Sequence, residues 1–111
     1  MIIVHSNSIP AEPIPAVELK TLFPFDLVEG GRSRFGKLVL PPKARLPLSG
    51  LVPHDEDEYS IVVKGQMTTT IGDQAYSLCA GDAAFIPAGE AHAVYNPGDE
   101  ECHLIWVLVR R

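Results

Sequence analysis

No apolar run in this chain approaches the roughly 18 residues that a membrane-spanning helix needs, so no membrane helix is expected. Basic charge is scarce and dispersed: nine Lys and Arg stand against fourteen Asp and Glu, for a net charge of −5. Only Arg110 and Arg111 adjoin. Neutralising phosphates takes clustered Lys and Arg, so no nucleic-acid partner is expected. Cysteine is nearly absent, with Cys79 and Cys102 alone, too few for a disulfide framework. The opening MIIVHSNSIPAEP has no basic region and breaks at Pro10, which makes a poor signal peptide. Reduced, buried thiols and a cytoplasmic location are therefore expected. The chain also lacks a G-x-S-x-G string, a phosphate-cradling glycine loop, an internal repeat and a long amphipathic helix, so nucleophile-elbow and nucleotide chemistry have no support.

What is present is punctuation. Ten prolines and nine glycines separate β-rich runs of about five to eight residues: SRFGKLVL, EYSIVVKG, QMTTTIGDQAYSL, DAAFIPAG, HAVYN and CHLIWVLV. Gly72-Asp73 reads as a tight hairpin turn between MTTTI and QAYSL. With 46% apolar and 21% charged residues over 111 positions, the chain has the makeup of one globular domain. Residues 1–31 read as an N-terminal extension in which AVELKTLF forms a helical turn or an edge strand, and 32–111 as a barrel. In CHLIWVLV, Cys102, Leu104, Trp106 and Leu108 fall on one face and Ile105, Val107 and Val109 on the other, so both faces are apolar. Either the N-terminal segment or a second subunit must cover the outer one, and a homodimer is expected.

One stretch carries more than punctuation. Gly81, Pro87, Gly89, His92 and Asn96 follow the spacing G-x5-P-x-G-x2-H-x3-N. Upstream, HDEDEYSIVVKG sets His54, Glu58 and Gly65 in a register where Val52 and Leu46 stand at two further positions. These strings resemble the two signature motifs of the cupin superfamily, the first being G-x5-H-x-H-x3,4-E-x6-G; Val52 replaces its first histidine and Leu46 its opening glycine. The resemblance spans residues 32–109. It implies an all-β, double-stranded β-helix, a jelly-roll-like barrel. It does not imply one reaction, because cupins include dioxygenases, decarboxylases, isomerases and non-catalytic binding domains.

Residues two apart on a strand share a face, so Val52, His54, Glu58, Ser60 and Val62 can point inward together, as can His92, Val94 and Asn96. Two imidazoles and a carboxylate, His54, Glu58 and His92, then form a metal-ligand set suited to Fe, Mn, Ni or Zn with open positions. Val52, Ser60, Val62, Val94 and Asn96 are the expected ligand pocket, and Gln66, Thr68 and Thr70 are further polar candidates, with outward-facing sheet positions equally open for the threonines. Alternatives stay open: Glu58 could pair with Arg34, Lys37 or Arg45; His54 could be a rim residue; Glu56 could fill the gap left by Val52. His5 and His103 lie outside both motifs. The function expected is metal-dependent binding of a small carboxylate or sugar-like molecule, and the alternative is a metal-free sensor whose cavity, drier for Val52, takes an apolar ligand.

Overall fold

The computed structural model describes residues 1–111. Between the prolines and glycines lie nine strands: β1 (Glu18–Phe23), β2 (Ser33–Leu40), β3 (Arg45–Leu46), β4 (Glu56–Lys64), β5 (Gln66–Ile71), β6 (Gln74–Cys79), β7 (Ala83–Ile86), β8 (His92–Tyr95) and β9 (Cys102–Arg110). Two single 3₁₀ turns, Ser6–Ser8 and Phe25–Leu27, are the only helical segments. No helix is long and apolar enough to cross a membrane. The strands form a five-stranded sheet in the order β1-β2-β9-β4-β7 and a four-stranded sheet in the order β3-β8-β5-β6. Every pairing is antiparallel. This is the all-β, two-sheet barrel that the sequence led us to expect. Gly72 opens the two-residue turn between β5 and β6 at φ +60, a backbone region that β-branched or bulky residues rarely enter.

Strand register sorts the inner face of the larger sheet into rows. Leu40 faces Cys102, and the next row holds Leu38, Leu104 and Val62. Then come Gly36, Trp106, Ser60 and Ala84, and finally Arg34, Leu108, Glu58 and Ile86. The first two rows, with Met67 and Trp106, form the buried core at one end of the barrel. Full burial of each large apolar side chain contributes about 1.5 to 3 kcal/mol. Gly36 has a packing role here: a Cβ on it would fall 2.2 Å from both the Trp106 ring and the Lys20 carbonyl oxygen. Its missing side chain is what lets the indole lie against β2.

β1 is an edge strand, the second of the two forms open to AVELKTLF, and it supplies part of the larger sheet. The chain before it wraps that edge. The Glu12 N–H donates to the Leu19 carbonyl at 2.8 Å, and Lys20 Nζ donates to the Ser6 carbonyl at 2.8 Å. The outer face further along the sheet is different. Phe23, Phe35, Val107, Tyr59 and Phe85 follow one register row across all five strands, and Tyr59, Ile61, Val63 and Phe85 are exposed. The N-terminal segment therefore does not cover the apolar outer face of β4 and β7.

Candidate metal centre and cavity

The open end of the barrel is a cavity of about 270 Å³ with mostly apolar walls. His54 comes from the segment before β4, Glu58 from β4 and His92 from the first position of β8. Their ligand atoms all lie within 4.8 Å of one another. Glu58 Oε1 is 3.5 Å from His54 Nε2, and its Oε2 is 3.9 Å from His92 Nε2. The two imidazole rings meet edge to face, with centroids 4.8 Å apart and planes at 88°.

Local structure explains why these groups point together. The His92 N–H donates to the Val52 carbonyl and the Val52 N–H to the His92 carbonyl, at 3.2 and 3.0 Å. That bridge seats Val52 directly opposite His92. The His92 ring is oriented by its own loop, because Nδ1 lies 3.0 Å from the Glu90 carbonyl oxygen. A carbonyl only accepts, so Nδ1 is the donor of this bond, and Nε2 is turned toward Glu58. The loop is pinned in turn: the Gly89 N–H donates to the His54 carbonyl at 2.8 Å, and the Ala88 N–H to Asp57 Oδ1 at 2.9 Å. Arg111 also donates to Asp57, at 2.9 Å from Nε. The Arg111 guanidinium, helped by the Ala88 N–H, holds the Asp57 carboxyl below its ordinary value of 3.8.

Glu58 has no Lys or Arg partner. Arg34 pairs with Glu12, and Arg45 donates to the Pro47 and Gly50 carbonyls. The Glu58 side chain is 18% exposed and accepts no hydrogen bond from the protein. A largely buried carboxylate faced only by two imidazole nitrogens is a donor set that favours a cation between them. Imidazole and carboxylate donors sit about 2 Å from a divalent transition metal, and small side-chain rotations close these three onto one. The donor set thus fits such an ion; its softness and geometry do not choose among Fe, Mn, Ni and Zn.

Of the expected pocket residues, Val52, Ser60 and Val94 line the cavity. Val62 does not: it points inward but lies one row below Ser60, packed in the core at 1% exposure. Asn96 does not either. It follows the end of β8 and is fully buried, and its Nδ2 donates to the Leu40 and Glu100 carbonyls while its Oδ1 accepts from the Gly98 N–H. With those bonds made, it staples a loop and has nothing left for a ligand. Glu56 pairs with Arg110 across the strands and is not among the converging donors. Gln66, Thr68 and Thr70 fall on the outer parity of β5, and Met67 and Thr69 line the cavity in their place. Cys102 is buried as expected; Cys79 is exposed, which corrects the expectation of two buried thiols. Burial pushes the Cys102 thiol up and the Asp82 carboxylate pushes Cys79 up, so neither is primed as a thiolate. The sequence reading did not single out Glu12, and it considered Arg34 only as a partner for Glu58; both line the cavity.

Residues 38–108 match the cupin domain family. Among curated proteins the chain is similar to mannose-1-phosphate guanylyltransferase 2 of Escherichia coli O157:H7, 32% identical over 84 residues, covering 75% of this chain and 17% of that protein. It is similar also to the xanthan biosynthesis protein XanB of Xanthomonas campestris pv. campestris strain B100, 33% identical over 78 residues, covering 70% and 16%. The chain thus spans only about a sixth of the length of these relatives. Among solved structures, a predicted oxalate decarboxylase from Thermotoga maritima superposes with a TM-score of 0.85 at 24% identity, covering 99% of this chain and all of that one. The polyketide cyclase RemF from Streptomyces resistomycificus superposes with a TM-score of 0.80 at 20% identity, covering 100% and 80%. These neighbours share the barrel, and the family match spans well over half of the sequence: the chain belongs to the cupin family.

Proposed function

We propose that this protein is a metal-binding cupin that holds a small organic molecule, of carboxylate or sugar-like character, at open positions of a divalent transition metal. One observation carries the reading: the Glu58 carboxylate, largely buried, is faced only by the Nε2 atoms of His54 and His92. The names of two structural neighbours, a predicted oxalate decarboxylase and a sugar phosphate isomerase, are in keeping with that ligand class. When bound, the metal would supply Lewis-acid or oxygen-binding chemistry. The protein's own part is to hold three donors on one side, leave the Val52 side apolar, and shield the ligand from water within the cavity. Elemental analysis of protein purified from metal-supplemented cells is expected to give close to one equivalent of a transition metal, lost in His92→Ala. Far less than one equivalent in the parent protein, with ligand binding unaffected by chelator, would point instead to a metal-free binding domain.

We propose further that a second copy covers the outer face of the five-stranded sheet. Five strands about 4.8 Å apart, from four to nine residues long at about 3.3 Å each, make a face of roughly 570 Å², which with the flanking loops approaches the roughly 800 Å² per partner of a standard interface. Tyr59, Ile61, Val63 and Phe85 are exposed on it. Light scattering is expected to give a dimer mass, and a monomer mass for Ile61→Lys; a monomeric parent protein refutes the interface.

A further inference from the structure

The cavity holds a second charged group, remote from the histidines. Arg34 faces Leu108, and Leu108 faces Glu58, so Arg34 and Glu58 share one row of the inner face, two strand spacings or about 10 Å apart at the backbone. The Arg34 guanidinium carbon lies 5.5 Å from the centre of the Trp106 ring. Its Nη2 donates to Glu12 Oε1, and its Nε and Nη2 to Thr21 Oγ1 at 2.9 and 2.6 Å. Thr21 Oγ1 also lies 3.0 Å from Glu12 Oε1. Glu12 belongs to the irregular segment that wraps the β1 edge, so the chain itself delivers a carboxylate to an arginine in an otherwise apolar cavity. Arg34 Nη1 makes no hydrogen bond. Two further donors among the lining residues, Thr69 Oγ1 and Trp106 Nε1, are buried without a partner. A pocket built only to be filled by side chains would not leave them so.

We propose that Arg34 is the anion-binding residue of this cavity, and that Glu12 is a resident carboxylate that a compact, largely apolar monocarboxylic acid displaces. The inference rests on the small-ligand reading of the cavity above and places the ligand's carboxylate on Arg34, with its apolar end toward the metal side. Displacement is favoured over addition by charge: two carboxylates on one guanidinium would leave an uncompensated negative charge between apolar walls, whereas exchange keeps one cation to one anion. The Glu12 side chain, 32% exposed, has a route out to water. At about 30 Å³ per water, the cavity corresponds to about nine waters, the size of a ligand with about ten heavy atoms. Its apolar body would lie against Leu108, which stands between Arg34 and Glu58 in their row, and against Met67, Ile86 and Leu104, which also line the cavity.

The test is calorimetric titration of the purified full chain with benzoate and with its neutral counterpart benzamide, with metal content measured on the same samples. Glu12→Gln removes the competing charge and is expected to bind benzoate about tenfold more tightly than the parent. Arg34→Met is expected to weaken benzoate binding at least about tenfold, with benzamide binding and metal content unchanged in both. Should Arg34→Met fail to fold, the Glu12→Gln arm decides alone, because a pair that merely ties down the N-terminal segment would leave benzoate binding equal or weaker. Equal affinity in Glu12→Gln and parent, retention of benzoate by a folded Arg34→Met, or no benzoate binding at millimolar concentration overturns the proposal. Arg34-dependent binding in protein that carries no metal would sustain it while removing the metal reading.

Discussion

Replacing Glu58 by glutamine should have opposite effects on stability with and without metal. The carboxylate keeps less than a fifth of its exposure, and its nearest donors, at 3.5 and 3.9 Å, are beyond good hydrogen-bond range. A polar group left without a partner costs about 1 to 3 kcal/mol when fully buried, and Glu58, which keeps some contact with water, falls at the low end. A neutral amide of the same shape escapes part of that, so in chelator at pH 8 Glu58→Gln should be about 1 kcal/mol more stable than the parent. For a chain of 111 residues this is about 4 °C in Tm. Adding metal at a hundred times its Kd should stabilise the parent by about 2.7 kcal/mol, or about 10 °C by the same conversion. The variant, having lost its anionic ligand, should gain little, so the order of melting reverses. Differential scanning at fixed protein concentration reads both arms. If the variant melts below the parent in chelator, or both gain equally from metal, the inference that Glu58 is a strained carboxylate awaiting a cation is wrong.

Further outcomes follow from the same geometry. Val52 is bridged to His92 by two backbone hydrogen bonds, so Val52→His should add a fourth donor and tighten metal binding by about tenfold or more; unchanged affinity in calorimetry would mean that this side of the cavity does not face the ion. Asp57→Asn should lower Tm at pH 7 and loosen the loop that carries Glu90, weakening metal binding as well. Because the Asp57 pKa is lowered in the folded state, its contribution is fully present above the ordinary carboxylate value and is lost as pH falls through the lowered one. The Tm gap between parent and Asp57→Asn should therefore shrink below pH 3.8, and a constant gap from pH 7 to pH 2 would contradict the role given to Arg111 and Ala88.

Much of this molecule was legible before its structure. The glycine, proline and histidine spacings locate the turns, and they mark His54, Glu58 and His92, which the fold brings to one point. In β4 the motif register and not the alternation marked the inward face, since Glu58 and Ser60 line the cavity while the apolar Tyr59 and Ile61 are exposed. Parity failed in β5, where three consecutive threonines hide the alternation and only Met67 and Ile71 at odd positions betray the inward face. Depth was not legible at all: Val62 has the inward parity of Ser60, yet one row separates a cavity wall from a packed core. Asn96 misled because the alternation from His92 was carried past the end of β8. Glu12 could not be found from the sequence, since its position depends on how an irregular segment wraps an edge strand. That segment is 22 residues from Arg34 along the chain.

The central claim is that His54, Glu58 and His92 hold one metal ion, and locating the ion tests it most directly. In crystals grown with the metal found by elemental analysis, anomalous scattering at that metal's absorption edge should show a single strong peak. It should lie about 2.0 to 2.2 Å from His54 Nε2, His92 Nε2 and a Glu58 oxygen. No peak at that point, or peaks only at the surface carboxylates of Asp55 or Asp99, would contradict it.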